Sequence, residues 1–304
     1  MHDLIIIGAG PAGLTSAIYA RRAGKSVLLL EALSYGGQII NTPDIENYPA
    51  ESHISGFELA TKMFDQATAL GAETLFKKAV GIEDRGDFKE VMTEDGSFTA
   101  RAVIIATGSR SKSLGLPLEK ELTGRGVSYC ATCDGAFFRK KTVAVVGGGN
   151  TALKDALYLS GLAEKVYLIH RRDAFRGDEV RLARLRERPN VSFILRSVVT
   201  RLYENGGMLS AIELEDADGK SSELPVNGLF VAVGREPENG AFAGLLELDE
   251  AGYAEAGENC RTKTPGVFVA GDNRKKDVRQ LVTATADGAV AATEAVKYLS
   301  SLGK

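Results

Sequence analysis

In the segment LIIIGAGPAGLTSAIYARRAGKSVLLLE, residues 4–31, an apolar strand leads into a glycine-rich turn, a helix and a second strand. The turn at 8–13 has the GxGxxG spacing of dinucleotide-binding βαβ units, and it precedes a helix predicted over about residues 14–23. Such glycines allow close backbone approach to a pyrophosphate, and the helix N-terminus offers N–H donors. An acid at the end of the second strand can accept hydrogen bonds from ribose hydroxyls. The segment therefore predicts a dinucleotide site with contacts at Gly8, Gly10, Gly13 and Glu31.

A second segment, TVAVVGGGNTALKDALYLSGLAEKVYLIHRR at 142–172, repeats the pattern with one difference. Its second strand ends in arginines instead of an acid. Arginines at this place can hold a ribose 2′-phosphate through charge-assisted hydrogen bonds, which favours NADP over NAD. The alternative is a basic strand end that is simply solvated. The predicted contacts are Gly147, Gly149, Asn150, Thr151, Ala152, His170, Arg171, Arg172 and Arg176.

Each unit is followed by a later apolar strand, at 102–108 and at 228–234. Near-continuous apolar strands of this kind indicate parallel sheets that are covered on both faces. Residues 89–100 and 209–224 alternate in polarity around Asp-Gly turns, and this pattern predicts antiparallel ribbons. The two halves are thus predicted to share one architecture.

A further strand at 266–272 and a helix over about 281–298 follow the second unit, so they need a sheet to join. The simplest topology inserts one domain into another. We therefore predict an α/β fold of two Rossmann-like, three-layer ββα domains, in which residues 114–237 are inserted into a discontinuous domain of residues 1–113 and 238–304.

The cysteines indicate redox chemistry. Three cysteines in 304 residues are too few for a secreted disulfide framework, and a close pair in an intracellular chain indicates redox or metal chemistry. A tetrahedral metal site would need two more ligands, and the chain offers only Cys260 and three histidines. A CxxC thiolate near a helix N-terminus is reactive at neutral pH, and a neighbouring acid can handle a proton. The candidate catalytic residues are Cys130, Cys133 and Asp134.

Composition argues against several kinds of partner. The net charge of -3 and a pI near 5.8 do not indicate a binding surface for nucleic acid or an anionic membrane, both of which favour clustered positive charge. No apolar run approaches the roughly 20 residues that a spanning helix needs, and the chain does not start with a targeting segment. We expect a cytoplasmic protein that binds neither nucleic acid nor a membrane.

Taken together and in this order, the motifs resemble those of the low-molecular-weight, bacterial type of thioredoxin reductase. The resemblance covers essentially the whole chain. The motifs are GAGPAG at 8–13, GGQ at 36–38, ENYP at 46–49, ATG at 106–108, CATCDG at 130–135, GGGNTA at 147–152, HRR at 170–172, GD at 271–272 and RQ at 279–280.

The resemblance implies that the discontinuous domain binds FAD and that the inserted domain binds NADPH. Asp272 is similar to the residue that holds the ribityl chain of the flavin, and Arg279 and Gln280 are similar to contacts of its ring system. The FAD contacts implied beyond the first glycine turn are Gly36, Gly37, Gln38, Asn47, Ala106, Thr107, Gly108, Gly271, Asp272, Arg279 and Gln280.

The resemblance also implies an electron path and an assembly. Cys133 is similar to the cysteine beside the flavin, Cys130 to the one that attacks the protein substrate, and Asp134 to the acid/base. Electrons would pass from NADPH through FAD and this disulfide to thioredoxin, in a homodimer. Ala50 and Asn273 depart from the family pattern, which commonly has glycine and an aliphatic residue at these positions.

Three other functions fit parts of the sequence. A ferredoxin-driven flavin disulfide reductase would keep the cysteines but would need no nicotinamide site, and the intact GGGNTA and HRR motifs argue against it. A reductase for a peroxiredoxin or a glutaredoxin-like protein would share all these motifs. A non-catalytic, redox-sensing flavoprotein would bind nucleotide without turnover.

Overall fold

The computed structural model describes residues 1–42 and 44–302, and the chain divides into two compact units. The first unit comprises Met1–Arg110 and Glu236–Lys304, and the second comprises Ser111–Arg235. The domain boundaries predicted from the sequence, after residues 113 and 237, lie within three residues of these bounds. The second unit is thus inserted into the chain of the first.

The elements follow in chain order. The first part of the chain contains β1 (His2–Ile7), α1 (Pro11–Arg22), β2 (Val27–Leu30), a 3-10 helix (Gly37–Asn41), α2 (Gly56–Ala69), β3 (Glu73–Leu75), β4 (Ala79–Asp84), β5 (Lys89–Thr93), β6 (Gly96–Ile105) and β7 (Ser109–Ser111). The second unit continues with β8 (Val127–Ser128), α3 (Ala131–Asp134), a 3-10 helix (Gly135–Phe138), β9 (Thr142–Val146), α4 (Asn150–Ser160), β10 (Lys165–His170), α5 (Glu179–Arg186), β11 (Val191–Leu195), β12 (Ser197–Asn205), β13 (Met208–Asp216), β14 (Ser221–Pro225) and β15 (Gly228–Val231). The chain ends with β16 (Arg235–Pro237), a 3-10 helix (Gly240–Leu245), β17 (Val267–Val269) and α6 (Leu281–Ser301).

The sheet of the first unit has the strand order β3-β2-β1-β6-β5-β4, and β17 also pairs with β6. Strands β1, β2, β3, β6 and β17 pair in parallel, whereas β4 and β5 form an antiparallel ribbon with the start of β6. Alternate residues of β1 face opposite sides of the sheet. Leu4 and Ile6 pack with α1 and α6 on one face, and Ile5 and Ile7 belong to the apolar cluster on the other face, which includes Val91 of β5. Both faces are covered, as the apolar strands predicted.

Strand β6 corrects one detail of the sequence analysis. Residues 89–100 and 102–108 were predicted as a separate ribbon and strand, but β6 is one strand of ten residues. Its first half pairs with β5, and its second half lies between β1 and β17. Burial rises along it from exposed Gly96 to fully buried Ile105, so two polarity patterns occur within one element.

The second unit has a parallel sheet with the order β11-β10-β9-β15-β8, together with an antiparallel sheet of β12, β13 and β14. The predicted ribbon at 209–224 corresponds to β13 and β14, and β12 is a third strand that the sequence analysis did not predict. The predicted α/β architecture is confirmed. Within the described residues, no helix is long and apolar enough to cross a membrane.

Candidate functional site

The cysteine pair lies between β8 and β9 in the second unit. Cys130 caps the one-turn helix α3, and a disulfide joins it to Cys133 with a Cα–Cα distance of 5.3 Å. The backbone N–H groups of Cys133 and Asp134 both donate to the carbonyl of Cys130, at 3.2 and 3.1 Å. Both cysteines are partly exposed, so this turn presents a disulfide that another thiol can attack.

Asp134 follows directly on this disulfide. Its Oδ2 accepts a hydrogen bond of 2.6 Å from the hydroxyl of Ser128, at the end of β8. Burial raises the pKa of the Asp134 carboxyl, and the Ser128 hydrogen bond offsets only part of that effect. The carboxyl therefore keeps its proton over a wider pH range than an exposed aspartate, as a proton donor beside sulfur requires.

A buried glutamate that the sequence analysis did not single out supports the residue before Cys130. Glu119 is only 3% exposed, and its carboxylate accepts hydrogen bonds of 2.8 Å from the hydroxyl of Tyr129 and from the N–H groups of Leu114 and Gly115. Burial and the Glu119 carboxylate raise the pKa of Tyr129 above its ordinary range. The buried carboxylate thus has hydrogen-bond partners, and it fixes the segment that leads into the turn of residues 130–134, the redox turn.

A cavity of about 350 Å³ in the first unit brings together most of the predicted FAD contacts. The predicted residues that line it are Gly8, Gly10, Glu31, Gly37, Gln38, Ala106, Thr107, Gly108, Gly271, Asp272 and Gln280. Gly8 has φ +105°, and a Cβ there would lie 2.4 Å from the carbonyl oxygen of Ala106. Only glycine allows the turn and the ATG segment to approach this closely.

Glu31 lines this cavity and also binds the glycine turn. Its Oε2 accepts from the N–H of Ala9 at 2.8 Å, and its Oε1 accepts from the N–H of Leu33 at 2.9 Å. The structure therefore places the carboxylate between the turn and the chain that leaves β2, while its contact with a ribose stays a prediction.

Four predicted FAD residues do not line the cavity. A Cβ on Gly13 would lie 1.8 Å from the carbonyl oxygen of Gly8, so this glycine allows α1 to pack against the turn. The N–H of Gly36 donates to the carbonyl of Ala9 at 2.7 Å. Both glycines therefore support the glycine turn and do not line the cavity.

The other two, Asn47 and Arg279, contact other residues of the first unit. The amide Nδ2 of Asn47 donates to Oε1 of Gln280 at 3.2 Å, and Gln280 caps α6 through a capping box. The guanidinium of Arg279 lies 4.0 Å from the ring centroid of Tyr253. Direct contact of Asn47 and Arg279 with FAD stays a prediction.

A buried ion cluster that the sequence motifs did not indicate lies behind the cavity wall. Asp287 on α6 accepts from Arg274 at 2.8 Å, from Lys276 at 3.0 Å and from the N–H of Gly271 at 3.0 Å. Nζ of Lys276 also lies 3.7 Å from Oδ1 of Asp272. The side chains of Asp287, Arg274 and Lys276 are at most 10% exposed. The sequence did contain one signal for this cluster. Asp287 stands among the alanines and valines of α6, and a buried carboxylate needs charged or hydrogen-bonding partners.

The two departures from the family pattern have structural consequences. Ala50 has φ +75°, a left-handed conformation that favours glycine. Asn273 is fully buried, and its Nδ2 donates to the carbonyl of Ile105 at 3.2 Å and to Oδ1 of Asn239 at 3.1 Å. Asn273 thus ties the end of β6 to the segment after β17.

A cavity of about 470 Å³ in the second unit brings together most of the predicted NADPH contacts. Those that line it are Gly147, Gly149, Thr151, His170, Arg171 and Arg176. Helix α4 starts here without a side-chain cap, so its first N–H groups are free of such a partner. The N–H of Arg176 donates to the carbonyl of Gly148 at 2.8 Å, which holds the arginine segment against the glycine turn.

His170 is a buried polar residue that lines this cavity. A Cβ on Gly148 would lie 2.1 Å from the imidazole ring, so the glycine makes room for it. Among the described residues, its buried Nε2 has no hydrogen-bond partner. Burial and the charges of the neighbouring arginines lower the pKa of His170, which keeps the ring neutral. An unpaired, buried nitrogen in a cavity indicates a place for a ligand.

Three predicted NADPH residues do not line the cavity. Oδ1 of Asn150 accepts from the N–H of Asp178 at 2.7 Å, and Ala152 is fully buried under the turn. Arg172 is exposed, and its carbonyl accepts from the N–H of Arg196 at 3.3 Å. Their contacts with NADPH stay predictions.

Comparison with known proteins agrees with this geometry. Residues 2–288 match the family model described as pyridine nucleotide-disulphide oxidoreductase. The chain belongs to this family. It is 43% identical to the thioredoxin reductase of Bacillus subtilis (strain 168) over 303 residues, which cover 99% of this chain and 96% of that protein.

Solved structures of the same family show the same fold. The thioredoxin reductase of Streptococcus pyogenes MGAS5005 is 44% identical, with a TM-score of 0.94 and 99% of each chain covered. The thioredoxin reductase of Giardia duodenalis is 35% identical, with a TM-score of 0.92 over 98% of this chain and 99% of that chain. Family membership confirms the predicted class: the protein is an oxidoreductase that uses FAD and NADPH and acts on disulfides.

Proposed function

We propose that the protein is an NADPH-dependent thioredoxin reductase. The observation that carries this proposal is the accessible disulfide of Cys130 and Cys133, with a protonatable Asp134 beside it, in the unit that also contains an arginine-lined nucleotide cavity. The relatives that match over nearly the whole chain bear the same name. In the net reaction, NADPH and a proton convert the disulfide of oxidised thioredoxin to a dithiol.

The residues of the first unit fit FAD. A turn in which Gly8 leaves no room for a Cβ and the N-terminus of α1 suit a pyrophosphate, and Asp272 and Gln280 supply polar groups along the same cavity. FAD held there would supply a hydride acceptor for NADPH and a two-electron donor for the cysteine disulfide. The chain itself binds and orients these groups.

The residues of the second unit fit NADPH. The uncapped start of α4 suits the pyrophosphate, and the guanidinium groups of Arg171 and Arg176 suit the adenosine 2′-phosphate. The buried Nε2 of His170 supplies a further polar group in the same cavity. Because no acid stands at the end of β10, a free 2′-hydroxyl has no carboxylate partner there.

The reduced cysteine pair would reduce the partner by thiol–disulfide exchange. The Cys130 thiolate bonds to one sulfur of the partner disulfide, and the partner's S–S bond breaks with its electron pair on the leaving sulfur. Cys133 then attacks Cys130, which re-forms the disulfide and releases the second sulfur of the partner. Each leaving sulfur takes up a proton. Asp134 is placed to give its proton to the first and then to take the proton of the Cys133 thiol as that sulfur attacks, while the second leaving sulfur takes from solvent the proton that Cys130 gave up on ionising.

Three further features of the proposal come from the resemblance and the relatives. Thioredoxin is the protein substrate, and the enzyme acts as a homodimer. We place it in the cytoplasm, where thiols are kept reduced and a reductase of this kind has substrates. Light scattering on the purified holoprotein tests the assembly.

The proposed function is tested by following NADPH oxidation in the presence of oxidised thioredoxin from the same organism. Turnover with thioredoxin supports it. Reduction of the flavin by NADPH without reduction of thioredoxin would show that another disulfide protein is the partner. If NADPH does not bleach the flavin, the nicotinamide site is wrong and a ferredoxin-type donor takes its place.

Arginines at the second cavity are expected to select NADPH over NADH. We expect Arg171→Ala and Arg176→Ala each to raise the KM for NADPH by roughly tenfold or more, since each removes a charged hydrogen bond worth about 1.5–3 kcal/mol. The KM for NADH, which lacks the phosphate, should change little. Arg201→Ala is the matched control, because Arg201 lies on β12 outside the cavity. Equal losses for both nucleotides would contradict the assignment.

A further inference from the structure

We propose that Ser128 is a positioning residue of the redox turn, which orients the proton-bearing carboxyl of Asp134 and the backbone of Cys130 at once. This inference rests on the proposed function, because it assigns a residue to the proton step of disulfide exchange. Ser128 lies outside all of the sequence motifs quoted above.

The hydroxyl of Ser128 joins the two sides of the turn. Its Oγ donates to Oδ2 of Asp134 at 2.6 Å, and the same oxygen accepts from the N–H of Cys130 at 3.1 Å. A serine hydroxyl has one donor and two acceptor lone pairs, so both hydrogen bonds can exist together. One atom therefore connects the first cysteine of the pair to the acid.

The position of Ser128 is fixed by the sheet. Ser128 is 3% exposed and ends β8, where it pairs with Phe230 of β15. Tyr129, the next residue, is held by the buried Glu119 carboxylate. Because the serine is anchored from both sides, its hydroxyl is a fixed reference point for a turn that otherwise consists of one helical turn and a disulfide.

The environment of Asp134 makes this one hydrogen bond decisive. Burial raises the pKa of its carboxyl and the Ser128 hydrogen bond lowers it, and no charged group among the described residues contributes to the shift. Loss of the hydroxyl would leave burial unopposed. The Asp134 pKa should then rise further, and the carboxyl should lose its fixed direction.

An isosteric pair of variants isolates the hydroxyl. Thr and Val have nearly the same shape, so Ser128→Thr and Ser128→Val share any strain from the added methyl group. They differ in the two hydrogen bonds of the hydroxyl. We would record infrared spectra of the oxidised holoenzyme against pH and assign the carboxylic C=O band of Asp134 by its loss in Asp134→Asn.

We expect the Asp134 band of Ser128→Val to titrate about one pH unit higher than that of Ser128→Thr, as loss of one hydrogen bond to a charged group predicts. Ser128→Thr should titrate close to wild type. Equal midpoints in the Thr and Val variants would overturn the proposal. This readout needs no thioredoxin, so it remains decisive even if thioredoxin is not the substrate.

Turnover provides the second readout. With oxidised thioredoxin, kcat of Ser128→Val should fall roughly tenfold below that of Ser128→Thr, a part of the 10²–10⁴-fold that a positioned acid contributes. The KM for NADPH should be equal in both. A kcat that is the same in the two variants would contradict a positioning role. Absence of turnover in wild type would refute only the proposed function, and the infrared titration would still test the role of Ser128.

Discussion

Cys133→Ser is expected to reduce NADPH-dependent turnover of thioredoxin by about 10⁴-fold or more, on the scale seen when an enzyme loses its nucleophile. Serine cannot form a disulfide with Cys130, and a hydroxyl does not exchange with sulfur at neutral pH. Reduction of the flavin by NADPH should persist, because the residues of both nucleotide cavities are unchanged. Stopped-flow absorbance of the flavin and steady-state NADPH oxidation measure the two steps separately.

Cys260→Ser is the matched control for this experiment. Cys260 is the free, fully buried cysteine of the first unit, and burial and the charge of Asp287 raise the pKa of its thiol to about 12. We expect turnover to be unchanged in this variant. Titration of the unfolded wild-type protein should find one free thiol before reduction and three after it. Turnover above a tenth of wild type in Cys133→Ser would contradict the electron path.

Asp287→Asn is expected to lower the free energy of unfolding of the first unit by about 3–5 kcal/mol, the cost of leaving buried charges without their partner. The amide keeps the shape of the carboxylate but removes the negative charge that Arg274 and Lys276 share, and it leaves Lys276 with Asp272 at 3.7 Å. A loss of this size corresponds to a fall of roughly 10 °C in the midpoint of thermal unfolding. Flavin fluorescence during heating measures it, because the cluster lies behind the FAD cavity.

Glu294→Gln on the same helix is the control. Its carboxylate also binds two cations, Arg261 at 2.7 Å and Lys297 at 2.7 Å, but these partners are 51% and 64% exposed. An ion pair of that kind contributes about 0–1 kcal/mol. If both variants shift the midpoint equally, burial is not what makes the Asp287 cluster important.

The Asp287 cluster also predicts a pH dependence. Burial raises the pKa of this carboxyl, but the hydrogen bond from Arg274 and the charge of Lys276 outweigh it, so the pKa lies below its ordinary value of 3.8. A carboxyl whose pKa is lowered on folding stabilises the protein above the unfolded value, and this contribution is lost as pH falls below it. Wild type should therefore lose stability more steeply than Asp287→Asn on acidification below about pH 4.

The sequence by itself determined the features that depend on a few neighbouring residues. A glycine turn needs its own spacing, strand and helix, so the strand, turn and helix of both nucleotide units could be predicted. The CxxC pair is likewise local, because three residues span one helical turn. The place of Arg171 and Arg176 at the second cavity was predictable for the same reason, since the end of a βαβ strand lies at the nucleotide crevice.

Only the tertiary structure decided which distant residues support these motifs. Asn47 and Gln280 are 233 residues apart, and Asp287 binds an N–H 16 residues earlier in the chain. Ser128, Glu119 and Asp287 are ordinary polar residues in the sequence, and they became significant when burial removed water and left each with a few fixed partners. Burial and strand order are properties of the whole chain, so no short pattern contains them.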